Sequence, residues 1–189
     1  MPTVTGINSG QIRVAGTGAV WRAPAGTALP VDSTTAWGAG FVNLGYGNDG
    51  FTAKPNYKTK VVRGWQNRGV LRNITTEFDW QFDFELMQSN VATLALAWGG
   101  ATITPGTLGV YTMALPADPA AEFVLGFDWS DGVLNQRIII PRASLSALPV
   151  IKFVRTDAVS YVFSVQTLVP TDGSDQVKVL GVDAAVAGP

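Results

Sequence analysis

Histidine and cysteine are both absent from this chain of 189 residues. Without histidine there is no Ser-His-Asp or Cys-His nucleophile, no imidazole base and no imidazole metal ligand. Without cysteine there is no disulfide framework, no thiolate zinc site and no thiol nucleophile. Its lack is neutral on compartment. Charge is sparse as well: 13 Lys+Arg stand against 14 Asp+Glu, for a net charge of −1. The chemistry left open is carboxylate-only, either hydrolysis or binding of Mg²⁺ or Ca²⁺. Long hydrophobic runs are missing too. The longest apolar stretch, residues 91–98, is far short of a spanning helix. The N-terminus, Met1-Pro2-Thr3-Val4, shows no basic segment followed by an apolar one. The expectation is a protein made and kept in a cytoplasm, without membrane association.

What is present argues for a folded β protein. Hydrophobic residues make up 47% of the chain and aromatics 10%, which excludes a disordered chain. A mean hydropathy of +0.20 points to a generous core or to apolar surface buried between copies. The length suits one domain, residues 1–189. Gly and Pro, 21 and 11 in number, separate short segments rich in Val, Thr, Ile, Phe and Trp. Strands are predicted over 10–23, 41–46, 76–86, 110–115, 122–129, 134–140, 152–155, 159–168 and 176–182. Ser130-Asp131-Gly132 reads as a hairpin turn. Residues 47–69 carry no clear core pattern and read as a long loop, with extended pieces at Val61-Val62 and Trp65.

The sharpest pattern lies in residues 76–86. Phe78, Trp80, Phe82, Phe84 and Leu86 alternate with Glu77, Asp79, Gln81, Asp83 and Glu85. Strict period-2 alternation makes this a strand with one buried and one wet face. Ser89 or Asn90 then starts a helix that Gly99-Gly100 ends. Its predicted apolar face is Met87, Val91, Leu94 and Trp98.

Charge is strongly partitioned along the chain. Residues 47–72 hold Lys54, Lys58, Lys60, Arg63, Arg68 and Arg72 against Asp49, a net +5. Residues 76–88 hold Glu77, Asp79, Asp83 and Glu85 with no base, a net −4. Residues 171–189 are net −2. Neighbouring carboxylates on one strand face lie about 6.5–7 Å apart, a spacing a glycosidase could use. Such a pair must titrate asymmetrically, and four acids on one polar face offer no asymmetry. A solvated sheet face leaves the lack of Lys and Arg unexplained, whereas a surface that repels a polyanion accounts for it. The basic segment, interleaved with Tyr57 and Trp65, suits either a nucleic-acid groove or a protein–protein arm. Gly16-Thr17-Gly18 and Gly45-Tyr46-Gly47 lack the context of a phosphate loop and read as turns. Six Trp admit a carbohydrate-binding module. Trp80 and Trp98 read as core, and Trp21, Trp37, Trp65 and Trp129 have no assigned role.

The string Gly18-Ala19-Val20-Trp21-Arg22-Ala23-Pro24-Ala25-Gly26-Thr27-Ala28-Leu29-Pro30 resembles the opening of major tail proteins from long-tailed bacteriophages, especially those of actinobacterial hosts. Phe41-Val42-Asn43-Leu44-Gly45-Tyr46, Trp65-Gln66-Asn67, Thr75-Thr76-Glu77 and Gln88-Ser89-Asn90-Val91-Ala92-Thr93-Leu94 follow in the family's order. The resemblance covers about residues 10–100. It implies a mainly β, sandwich- or barrel-like tail tube fold: two packed antiparallel sheets, one short helix and a long extended loop. It implies a homo-oligomer of six-membered rings stacked into a sheathless tube. The partners it implies are a tape measure protein in the lumen and tail terminator and tail tip proteins at the ends. DNA would pass without specific binding. The resemblance implies no enzyme activity, cofactor or metal, a place in the virion and assembly in the host cytoplasm. On this reading Glu77, Asp79, Gln81, Asp83 and Glu85 line a negative, cation-free bore. Lys54, Lys58, Lys60, Arg63, Trp65 and Arg68 belong to an inter-ring loop, 47–72, that meets an acidic edge in the C-terminal arm, 171–189. The alternatives are a jelly-roll-like carbohydrate-binding module or phage adhesin, a carboxylate glycosidase, and a related tail component such as a terminator.

Overall fold

A computed structural model describes residues 8–66, 69–117 and 121–183. Eleven strands and one α-helix appear among them. In chain order they are β1 (Thr17–Pro24), β2 (Val42–Asn43), β3 (Gly47–Arg63), β4 (Val70–Leu86), α1 (Val91–Ala97), β5 (Thr102–Pro105), β6 (Tyr111–Ala114), β7 (Phe123–Asp131), β8 (Leu134–Leu145), β9 (Val150–Lys152), β10 (Ser160–Thr167) and β11 (Lys178–Val182). Nine strands form one antiparallel sheet ordered β2-β1-β7-β8-β10-β4-β3, with β11 paired to β8 and β9 to β10. β5 and β6 make a separate hairpin.

The large sheet folds over on itself through β8. Residues 134–143 of β8 pair with β7, and 135–139 also pair with β11. Its last three residues, 143–145, cross to pair with β10. The two packed layers are thus halves of one continuous sheet: β2-β1-β7-β8-β11 on one side and β3-β4-β10-β9 on the other. Aromatic rings fill the space between them. Phe127 of β7 stacks on Phe51 at 4.3 Å and on Phe82 at 5.5 Å, and meets Phe84 edge-on at 5.4 Å. Phe84 stacks on Phe163 of β10 at 5.1 Å. Burying each ring contributes about 1.5–3 kcal/mol of gross transfer free energy, and the stacked pairs add to it.

The 47–69 segment is not the loop its sequence suggests. Residues 47–63 are a strand that pairs with β4 from Gly47↔Leu86 to Arg63↔Val70. β3 is an edge strand with both faces largely exposed, so burial imposed no alternation on it. Its lysines, Pro55 and three register shifts are the usual devices that keep an open edge from pairing indiscriminately. At the first shift Asp49 and Gly50 adopt left-handed φ of 53° and 76°. The C-terminal segment is likewise no free arm over its described part, because β11 is built into the sheet. Residues 184–189 lie outside the described residues.

Helix α1 starts at Asn90, whose side chain accepts the Thr93 N–H at 2.8 Å. Asn90 Nδ2 also donates to the Leu44 carbonyl at 3.0 Å, and the Thr93 hydroxyl donates to the same oxygen. These bonds turn Thr93, Leu96 and Ala97 inward. Only Leu94 of the expected apolar face packs against the core; Met87, Val91 and Trp98 are exposed. Trp98 is therefore not a core residue.

The outer face of the first layer is covered by residues 25–41. Trp37 stacks on Trp21 and packs against Phe41. It also lies over Gly126, where any Cβ would collide with the indole. Arg137, only 4% exposed, forks onto Asp128 at 2.8 and 3.2 Å. The same guanidinium donates to the Asp32 and Thr35 carbonyls and sits 4.2 Å from the Trp37 ring. A buried cation with all these partners staples the covering segment to the sheet.

Candidate assembly surfaces

The β3–β4 register decides how the charges meet. Glu77 lies opposite Lys58, Asp79 opposite Asn56 and Gln81 opposite Lys54. The five residues expected on one face of β4 do share it. However, two of the supposed loop cations stand beside them. Lys54 Nζ donates to Asp83 at 2.6 Å, and Lys58 Nζ is 2.6 Å from Glu77. Lys152 of β9 reaches Glu85 at 3.4 Å. Asn56 donates to Asp79 at 3.0 Å and Asn48 to Glu85 at 3.2 Å. The cation-free wall is thereby overturned: β3, with Lys54, Lys58, Lys60 and Arg63, pairs against the acidic part of β4, and Lys54, Lys58 and Lys152 partner three of the face's four acids.

Asp83 is the hub of this face. It joins three strands by accepting from Lys54 on β3, Gln81 on β4 at 2.8 Å and Ser164 on β10 at 2.6 Å. Partial burial alone would raise its pKa, but the bonds from Gln81, Lys54 and Ser164 outweigh that and hold it at about 2. Glu85 is also held below its ordinary value, by Ser160 first and then Asn48. A general acid needs the opposite displacement, so neither Asp83 nor Glu85 suits that role. Lys152, Ser164 and Asn48 are invisible in the sequence, because each reaches this face only through pairing. Asn56 at least carries a signal, being in phase with Lys54 and Lys58.

The outer part of the hairpin stands clear of the body. β10 pairs with β4 only from Gln81 to Leu86. Trp80 and Phe78 are held along that edge by side chains instead. The Trp80 N–H donates to the Thr167 hydroxyl at 2.9 Å, and Gln176 donates to the Phe78 carbonyl at 3.3 Å. Beyond them the two strands continue alone. Lys60 lies on this arm opposite Ile74, and Arg63 and Trp65 lie at its end. Arg68 is outside the described residues. Tyr57, Phe78 and Ile74 are exposed on the arm, and Trp65 is 97% exposed. The other unassigned tryptophans are packed. Trp21 stacks with Trp37, and Trp129 Nε1 donates to Gln136 at 2.9 Å. No row of exposed tryptophans forms a sugar platform among the described residues.

The acidic C-terminal edge is partly committed within the chain. Asp183 receives a two-pronged pair from Arg13, at 2.7 and 2.9 Å, which ties residues 8–14 to the end of β11. Asp172 accepts the Ser174 N–H at 3.0 Å.

No curated protein matches the chain. A chain from the virion of a native gene transfer agent particle aligns with 76% of this chain and 89% of its own length, at 10% identity and a TM-score of 0.39. The family model described as phage tail tube protein matches residues 5–188. The chain belongs to the phage tail tube protein family, whose members are structural components of the virion tail.

Proposed function

We propose that this chain is the repeating subunit of a tail tube, closing into six-membered rings that stack into a DNA-conducting channel. The observation that carries this reading is the β3–β4 arm. It holds open strand edges and exposed Tyr57, Ile74, Phe78 and Trp65 away from the body, a surface that is incomplete in a lone subunit. Lateral contact between copies would pair the edges. The arm, with Lys60, Arg63, Trp65 and Arg68, would reach the adjacent ring. A tape measure protein would occupy the channel during assembly in the host cytoplasm, and terminator and tip proteins would cap its ends.

The face bearing Glu77, Asp79, Gln81, Asp83 and Glu85 lines the channel in this proposal. Its chemistry differs from simple repulsion. Lys54, Lys58 and Lys152 are each engaged by a carboxylate, so the wall offers a DNA phosphate no uncommitted cation there. DNA slides because the wall's lysines are already held by three of its four acids. Electron microscopy of the purified chain over a range of concentrations tests the main reading. Rings or tubes with a central channel are expected; a strict monomer, even with tail initiator proteins, refutes it.

A further inference from the structure

The arm's apolar face ends at a groove. Phe78, Trp80, Val169, Val177 and Val179 line an open recess of about 610 Å³, with Asp175 among its lining residues. Val169 and Val179 are 63% and 54% exposed. The recess exceeds the size of one indole. At the other end of the arm sits Trp65, nearly fully exposed, with Arg63, Lys60 and Arg72 nearby. The knob is aromatic with cations around it; the groove is apolar with Asp175, and Asp172 three residues before it.

A subunit cannot fill its own groove. Pro55 pairs with Trp80 at the groove, and the ladder continues to Arg63 opposite Val70. Eight residues of strand separate Pro55 from Arg63, roughly 26 Å at the usual rise, and Trp65 lies two residues beyond the strand end. A knob and a groove held that far apart in one subunit suit a heterologous contact that repeats from copy to copy. We infer that Trp65 of each copy docks in the Phe78–Trp80–Val179 groove of a second copy in the neighbouring ring, with the cations of the arm facing Asp172 and Asp175. Trp and Arg are the residue types that anchor interfaces of this kind. This inference rests on the stacking role proposed for the arm, and adds the surface that receives it.

The absence of cysteine makes the test clean. The double variant Gln66→Cys with Ser174→Cys, which keeps Trp65 in place, treated with a short bis-maleimide, is expected to give a ladder of linked dimers, trimers and higher species. Each single variant should give none. Trp65→Ala should raise the concentration needed for tube growth about 30-fold, and Trp65→Phe should restore most of it. Val179→Asp should act like Trp65→Ala while circular dichroism of the subunit stays unchanged. Normal tubes from Trp65→Ala, together with no ladder from the double variant, overturn the docking site and leave the tube reading standing. Should the wild-type chain form no tubes, the tube reading fails. The ladder at high protein concentration then still decides the contact: its presence supports the docking site and its absence overturns it.

Discussion

The alternation in residues 76–86 of β4 runs from the body onto the arm, and its two ends meet different fates. Near the body, Phe82, Phe84 and Leu86 are buried against β7, β10 and α1, and the alternating carboxylates face outward. Two residues further out, Trp80 is only half-buried, and Phe78 is 51% exposed. Nothing in the local sequence marks the change. The difference arises where β10 stops pairing, at Gln81. Alternation therefore specifies which side chains share a face, and the length of the neighbouring strand decides whether that face has a partner. In the outer half the proposed partner is another copy.

Breaking this comparison at its two ends should give the largest effect. Phe84→Ala should cost about 3–5 kcal/mol of subunit stability in denaturant unfolding. Phe78→Ala should change the free subunit by less than about 1 kcal/mol and act on assembly instead. Equal losses from both variants would show that the outer face of the arm is covered in the free subunit after all.

A smaller effect is expected on the polar face. Asp83→Asn should destabilise the subunit by about 1–2 kcal/mol, after discounting for its partial solvent exposure. The pH dependence carries a definite sign. The folded-state pKa of Asp83, about 2, lies below the ordinary value of 3.8. Its contribution is present above pH 4 and fades as pH falls from about 4 toward 2. Unfolding midpoints measured across that window should drop more in the wild type than in Asp83→Asn. The same substitution frees Lys54. Asp83→Asn combined with Glu77→Gln should therefore give the subunit a salt-sensitive affinity for double-stranded DNA that the wild type lacks. A gel-shift series in rising salt reads this directly. No gain would mean that the lysines were never the groups at issue.

The smallest effect belongs to the exposed pair further out. Lys58 and Glu77 are both more than half exposed. Lys58→Met should shift stability by no more than about 0.5 kcal/mol, and less at high salt. A larger loss in thermal or denaturant unfolding would place the outer ladder under more constraint than its exposure suggests.

Several elements are legible in the sequence. The β class follows from short Val-, Ile- and Phe-rich segments broken by glycine. β4 follows from strict alternation, the helix start from Asn90 ahead of an apolar run, and the β7–β8 turn from Ser130-Asp131-Gly132. β3 is not legible, because an exposed edge strand has no buried face to impose a period, and its lysines and Pro55 mimic a loop. The helix turns a different face inward from the one its spacing predicts. Side-chain bonds from Asn90 and Thr93 to the Leu44 carbonyl, 46 and 49 residues away, set its rotation. Arg137 reads in sequence as one more sparse charge; only folding closes Trp37, Asp128 and two loop carbonyls around it.

The lack of histidine and cysteine, the alternating faces and the uneven spread of charge were determined by the sequence alone. Which charges meet was decided by tertiary structure. A hairpin brings residues about 20–30 apart into register, and one residue of slip would carry every lysine to the opposite face. That register turns a basic segment and an acidic strand into one internally paired surface. It also leaves Trp65 alone at the far end of the arm.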